Sequence, residues 1–80
     1  MRRAPTRLGQ VDVGSAAVIR RLDLPRPLTR RLLEMGLLPG TRVQVVRVAP
    51  LGDPLELRLR NYCLSLRRED ALRIEVEAVP

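Results

Sequence analysis

Residues Leu55-Glu56-Leu57-Arg58-Leu59-Arg60 alternate apolar and charged side chains without a break. That is the period of a strand with one buried face. Leu55, Leu57 and Leu59 are expected inward, and Glu56, Arg58 and Arg60 outward. Tyr62, Leu64 and Leu66 form the next inward set, with Cys63 and Ser65 opposite. A tight hairpin at Arg60-Asn61 joins the two strands, and Asn61 is the residue suited to a positive φ. Upstream, Ala16 to Leu22 reads as a first strand, with Ala17 and Ile19 inside and Leu22 a third candidate. Thr41 to Val48 is rich in β-branched residues. Val43 and Val45 share one face, and Val46 and Val48 then continue on the other. This phase change predicts a bulge, or a strand buried on both sides at a barrel corner. Ile74, Val76 and Ala78 form a closing strand with Glu75 and Glu77 outward.

One segment has the helical period instead. Between Pro27 and Met35, the residues Leu28, Leu32 and Met35 follow i, i+4, i+7 and form one face. Pro27 suits the first helical position, where its missing N–H costs nothing. Leu33 is turned about 100° from Leu32, toward the side. Arg30, Arg31 and Glu34 complete the polar surface. So short a helix must dock on a sheet to persist. Gly36 can end it in the left-handed conformation. Pro39-Gly40 is a tight turn, Ala49 to Pro54 an exposed loop, and Arg68 to Leu72 a helical turn. About five short antiparallel strands with one short helix predict a mainly β fold, a small barrel. Residues 1–12 are expected to be a loose, Arg-rich leader, ordered only where Leu8 or Val11 packs. Residues 13–80 are expected to form the barrel domain.

Composition narrows the function classes. With 80 residues, 45% of them hydrophobic, there is room for one domain with a modest core. Tyr62 is the only aromatic residue, which argues against stacking platforms for nucleic acid. All 15 basic residues are Arg, and the net charge is +6. Residues 1–48 carry ten Arg against Asp12, Asp23 and Glu34, a net of +7; residues 49–80 carry five Arg against six acids, a net of −1. A basic half favours an acidic protein face, an anionic membrane surface or nucleic acid, although solvated Arg accounts for most of it. A single cysteine, Cys63, excludes an internal disulfide and fits a reducing compartment. No apolar run approaches the ~20 residues of a membrane span, and no apolar stretch follows the initial Met-Arg-Arg. A soluble, cytoplasmic protein is expected.

Catalytic and metal-binding chemistry finds little to work with. There is no His to act as base or ligand. Cys63 has no activating partner and no companion thiol. Asp53 sits in a Gly-Asp-Pro turn, where it accepts backbone hydrogen bonds. Glu69-Asp70 start a helical turn, where negative charge is favourable. None of Gly36, Gly40 and Gly52 opens a phosphate-binding loop of a known type. The chain is expected not to be an enzyme and to hold no catalytic, cofactor or metal-ligating set. The positive signal is apolar. Leu33 falls off the inward helix face, Leu38 follows Leu37 where both cannot point inward, and Leu51 sits at a loop tip. Exposed together, they would make a partner-binding patch.

The pieces come in a specific order: Arg31-Leu32, Met35-Gly36-Leu37, Pro39-Gly40, the strand to Val48, and Ala49-Pro50-Leu51-Gly52-Asp53-Pro54. Leu64-Ser65-Leu66-Arg67 follows, then Ala71, Ile74 and Val76. This order resembles the FeoA family, small cytoplasmic proteins associated with bacterial ferrous-iron uptake, from Val13 to Val79. The resemblance implies an SH3-like barrel with the helix at one side. It also implies an accessory role and a partner, the FeoB membrane transporter of ferrous iron with its cytoplasmic GTP-binding domain. The surface expected to meet that partner is Leu33, Leu38 and Leu51, with Arg30 and Arg31 at the rim for steering. Weak self-association stays open. The alternatives are a basic SH3-like module that binds nucleic acid, and a regulatory module like the C-terminal part of iron-dependent repressors, which the family domain resembles.

Overall fold

The structure, a computed structural model, describes residues 6–79. Five strands, β1 (Ala16–Leu22), β2 (Arg42–Val48), β3 (Leu55–Leu59), β4 (Tyr62–Leu66) and β5 (Ile74–Ala78), form one antiparallel sheet in the order β4-β3-β2-β1-β5. Helix α1 (Arg26–Glu34) connects β1 to β2, and the short helix α2 (Arg68–Ala71) connects β4 to β5. Alternation decides the register. Leu57 faces Val45 on one side and Leu64 on the other, and Leu55 faces Leu66. Inward residues of all five strands meet Leu32, Leu37 and Ala71 in one cluster, so the sheet curls into a small barrel around them. A one-residue slip anywhere would turn these leucines to solvent.

The phase change in β2 is a bulge. The β2–β3 register shifts between Val45 and Arg47, with Val46 as the extra residue. A second shift, between Ile19 and Arg21 in the β1–β5 pairing, accompanies the change of phase from Ala17 and Ile19 to Leu22, which packs against the core.

Helix α1 stops through a Schellman motif. The Leu37 N–H donates to the Leu32 carbonyl at 2.9 Å and the Gly36 N–H to the Leu33 carbonyl at 3.0 Å. Gly36 has φ +98°, and Leu37 and Leu32 supply the apolar contact typical of this ending. Two expectations change here. Met35 lies past the last helical residue and is 37% exposed, because Leu37 takes the buried position instead. Tyr62 is 41% exposed rather than inward, because its ring runs to Gly36; a Cβ on Gly36 would lie 2.5 Å from the Tyr62 hydroxyl. In the β3–β4 hairpin, the positive φ falls on Arg60 (40°), the first turn residue, and not on Asn61.

Residues 6–12, where order was expected only if Leu8 or Val11 packs, dock on the barrel. Leu8 and Val11 are buried, and the Val76 N–H donates to the Thr6 carbonyl at 2.8 Å. Residues 1–5 of the expected leader lie outside the described residues. Arg68 holds this segment from beneath. Its Nη1 donates to the Gly9 carbonyl at 2.7 Å and its Nε to the Gly52 carbonyl at 2.8 Å. Its own N–H donates to Asp53 Oδ1 at 3.0 Å, so the Asp53 carboxylate caps α2 from a distant loop. The loop after β2, the turn at Leu8–Gln10 and the start of α2 thus share one arginine.

Two stability measurements follow. Leu57→Ala and Leu64→Ala should each lose about 2–5 kcal/mol in chemical denaturation. A loss below about 1 kcal/mol at both positions would contradict the register. Gly36→Ala should lose about 1–2 kcal/mol, since an L-residue is strained at that φ while the Tyr62 tip can swing aside. A gain in stability there would mean the turn is not left-handed.

Candidate partner-binding surface

The turn after α1 decides which leucine faces water. Leu37 is fully buried, and Leu38 is 47% exposed. Hydrogen bonds hold the turn on all sides. The Thr41 N–H donates to the Leu38 carbonyl at 2.9 Å and Thr41 Oγ1 to the Gly36 carbonyl at 3.3 Å. The Gly40 N–H donates to the Ile19 carbonyl at 2.7 Å, and the Ile19 N–H returns a bond to the Thr41 carbonyl at 2.8 Å. Leu38 is therefore presented on a braced turn and not on a free loop. Half-buried Leu33 and exposed Met35 belong to the same helix end. The Tyr62 ring adds apolar area beside Gly36.

Arg30 and Arg31 are both exposed on α1. Arg31 also borders a shallow groove of about 210 Å³ between α1 and β4. Leu28, Leu32, Leu64 and Leu66 line the groove, Met35 and Arg31 flank it on the α1 side, and Arg67 and Asp70 on the other. The helix end thus joins an exposed apolar rim to a basic edge.

Leu51 is elsewhere. It stands in the loop after β2, whereas Leu38 precedes β2, so the seven residues of that strand separate them. At ~3.3 Å per residue this is roughly 20 Å. The expected single patch is therefore two separate points. Leu51 is fully exposed at φ 73°, a left-handed conformation that is rare for a bulky side chain. Backbone strain of this kind persists only when the surroundings impose it, and it gathers at binding sites. Here the imposing contacts are the Arg68 bonds to Gly52 and Asp53.

Met35 and Tyr62 are members of this surface that the apolar pattern assigned to the core. Gly36 was the available clue for both, since a left-handed stop breaks the helical period and leaves room for a ring. Cys63 is exposed on the outer face of β4. Among the described residues, no group of three His, Cys, Asp or Glu side chains could hold a metal ion, and no helix is long and apolar enough to cross a membrane.

Comparison with known proteins gives one consistent answer. The chain is 45% identical over 73 residues to the Fe(2+) transport protein A/Fe(2+) transporter FeoB fusion protein of Porphyromonas gingivalis. That match covers 91% of this chain but only 9% of the fusion protein's length. The solution structure of FeoA from Chlorobium tepidum superposes with a TM-score of 0.89 at 32% identity, over 92% of this chain and 70% of that one. The zinc complex of Stenotrophomonas maltophilia FeoA, described as a prokaryotic SH3 domain protein, superposes with a TM-score of 0.76 at 31% identity, over 92% and 91% of the two chains. The FeoA domain model matches residues 6–78, and the chain belongs to the FeoA family.

Proposed function

We propose that this chain is a non-enzymatic accessory protein of ferrous-iron uptake that works in the cytoplasm by binding a FeoB-type transporter. The observation that carries this reading is the Porphyromonas gingivalis relative, in which an FeoA part and a FeoB part share one polypeptide. Covalent linkage keeps two modules at high effective concentration, an advantage when they act on each other. A separate chain must obtain the same association from its own surface. The helix end offers what that requires: Leu38, Met35 and Leu33 as an apolar centre on a braced turn, with Arg30 and Arg31 beside it. A rigid, pre-formed centre lowers the ordering cost of binding. Leu51 serves as a second contact at the far end of β2. The transporter's cytoplasmic GTP-binding domain is the proposed receiving part.

Purified chain and the cytoplasmic portion of a FeoB-type transporter provide the test. Leu33→Ser with Leu38→Ser should weaken binding by at least about tenfold, because an interface needs a desolvated apolar centre. Leu51→Ser alone should have a smaller effect. Arg30→Ala and Arg31→Ala should mainly slow association and flatten its salt dependence. Leu38→Ser is expected to change stability by less than about 0.5 kcal/mol in a thermal melt. A folded Leu33/Leu38 variant that binds like the parent would move the interface away from the helix end.

A further inference from the structure

The outer face of β2 and β3 carries positive charge that no ion pair among the described residues neutralises. Arg42, Arg58 and Arg60 point outward with Gln44 and line an open recess of about 280 Å³. Gln44 lies directly opposite Arg58. Arg42 and Arg60 are each two positions further on, toward the same end of the strand pair. Like charges on neighbouring strands are unfavourable. The rest of the sheet avoids this. Arg20 pairs with Glu77 at 3.3 Å, and Arg21 and Arg7 pair with Glu75 at 3.6 and 3.7 Å. Arg47 lies opposite Glu56. Among the described residues, none of the ion pairs involves Arg42, Arg58 or Arg60. Arg60 moreover occupies the left-handed turn position, where Gly or Asn is the common choice.

We propose that this recess is an anion site that takes a phosphoryl group. Guanidinium forks match phosphoryl oxygens in pairs, which Lys does not do. Gln44 Nε2 donates to the Gly14 carbonyl at 3.1 Å, which holds the one uncharged lining side chain in place. None of the four lining residues is aromatic, so the site offers charge to phosphoryl oxygens and no platform on which a base would stack. None of its four lining residues is one of the helix-end leucines. A soluble phosphate ester and the headgroup of an anionic lipid both carry the required chemistry.

The experiment uses the full chain, labelled with ¹⁵N, and two probes. Pyrophosphate is titrated at low salt, and vesicles of phosphatidylglycerol are compared with vesicles of phosphatidylcholine by co-sedimentation. Amide shifts are expected at residues 42–44 and 58–60, with affinity falling steeply as salt rises. The triple variant Arg42→Gln/Arg58→Gln/Arg60→Gln should lose at least about tenfold in affinity, a difference of about 1.4 kcal/mol. A control that removes the same charge elsewhere, Arg20→Gln/Arg21→Gln/Arg73→Gln, should lose less than about threefold. Should the triple variant not fold, Arg58→Gln alone carries the same comparison. Pyrophosphate binding without vesicle binding identifies a soluble ester as the ligand source, and selective phosphatidylglycerol binding identifies a headgroup. Binding of neither probe, or equal losses in the two triple variants, overturns the proposal.

Discussion

The left-handed conformation of Gly36 is the constraint on which the surface of this domain depends. It ends α1 at the point where Leu37 can drop into the core and Leu38 must stay out. It also leaves the space that Tyr62 occupies at the start of β4, tying the helix end to the edge of the sheet. From there the chain has only Pro39-Gly40 to reverse direction before β2 begins its pairing with β1. Any other residue at position 36 would meet both the strained φ and the Tyr62 hydroxyl. One backbone dihedral thus links the end of the helix, the register of the first long strand pair and the exposure of Leu38.

At the other end of β2, a side chain takes the same organising part. Arg68 reaches two carbonyls from segments far apart in sequence, and Asp53 caps the helix that carries Arg68. The core contains no aromatic residue and consists of Leu, Val, Ile and Ala. Such a core packs by complementarity, so polar ties at the rim matter more in holding loops to it. They keep Leu51 extended into solvent in a conformation that an unsupported loop would abandon. Leu38 and Leu51 are therefore both presented on braced backbone. That suits the proposed role of presenting a surface to a partner.

Much of the fold was legible in the sequence, for definite reasons. Clean alternation fixed β3 and the inward leucines of β4, since a period of two has one buried solution. The change of phase at Val45-Val46 gave the bulge, and Gly36 gave the helix stop. The residues that were misjudged sit where a tertiary contact overrides the period. Met35 continues the helical pattern in sequence, but the chain has already left the helix. Tyr62 continues the strand pattern, but it turns to cover Gly36. Docking of residues 6–12 was half visible: Leu8 and Val11 were the apolar candidates, but the contacts of Gly9, with Leu72 beside it and Arg68 on its carbonyl, join residues about sixty apart in the chain. The candidate surface was half visible. Leu33 and Leu38 are accessible at one helix end, whereas Leu51 lies past the other end of β2, a separation that the extended residues 41–48 already implied.

The central claim is that the helix end of the barrel meets the transporter. The most direct measurement is an amide chemical-shift map of the ¹⁵N-labelled chain, titrated with the cytoplasmic portion of a FeoB-type transporter. The account predicts that the largest perturbations fall on residues 30–40 and on Tyr62, with smaller ones at residues 50–53. Perturbations confined to the β1–β5 face, with residues 30–40 unmoved under saturating partner, would contradict it.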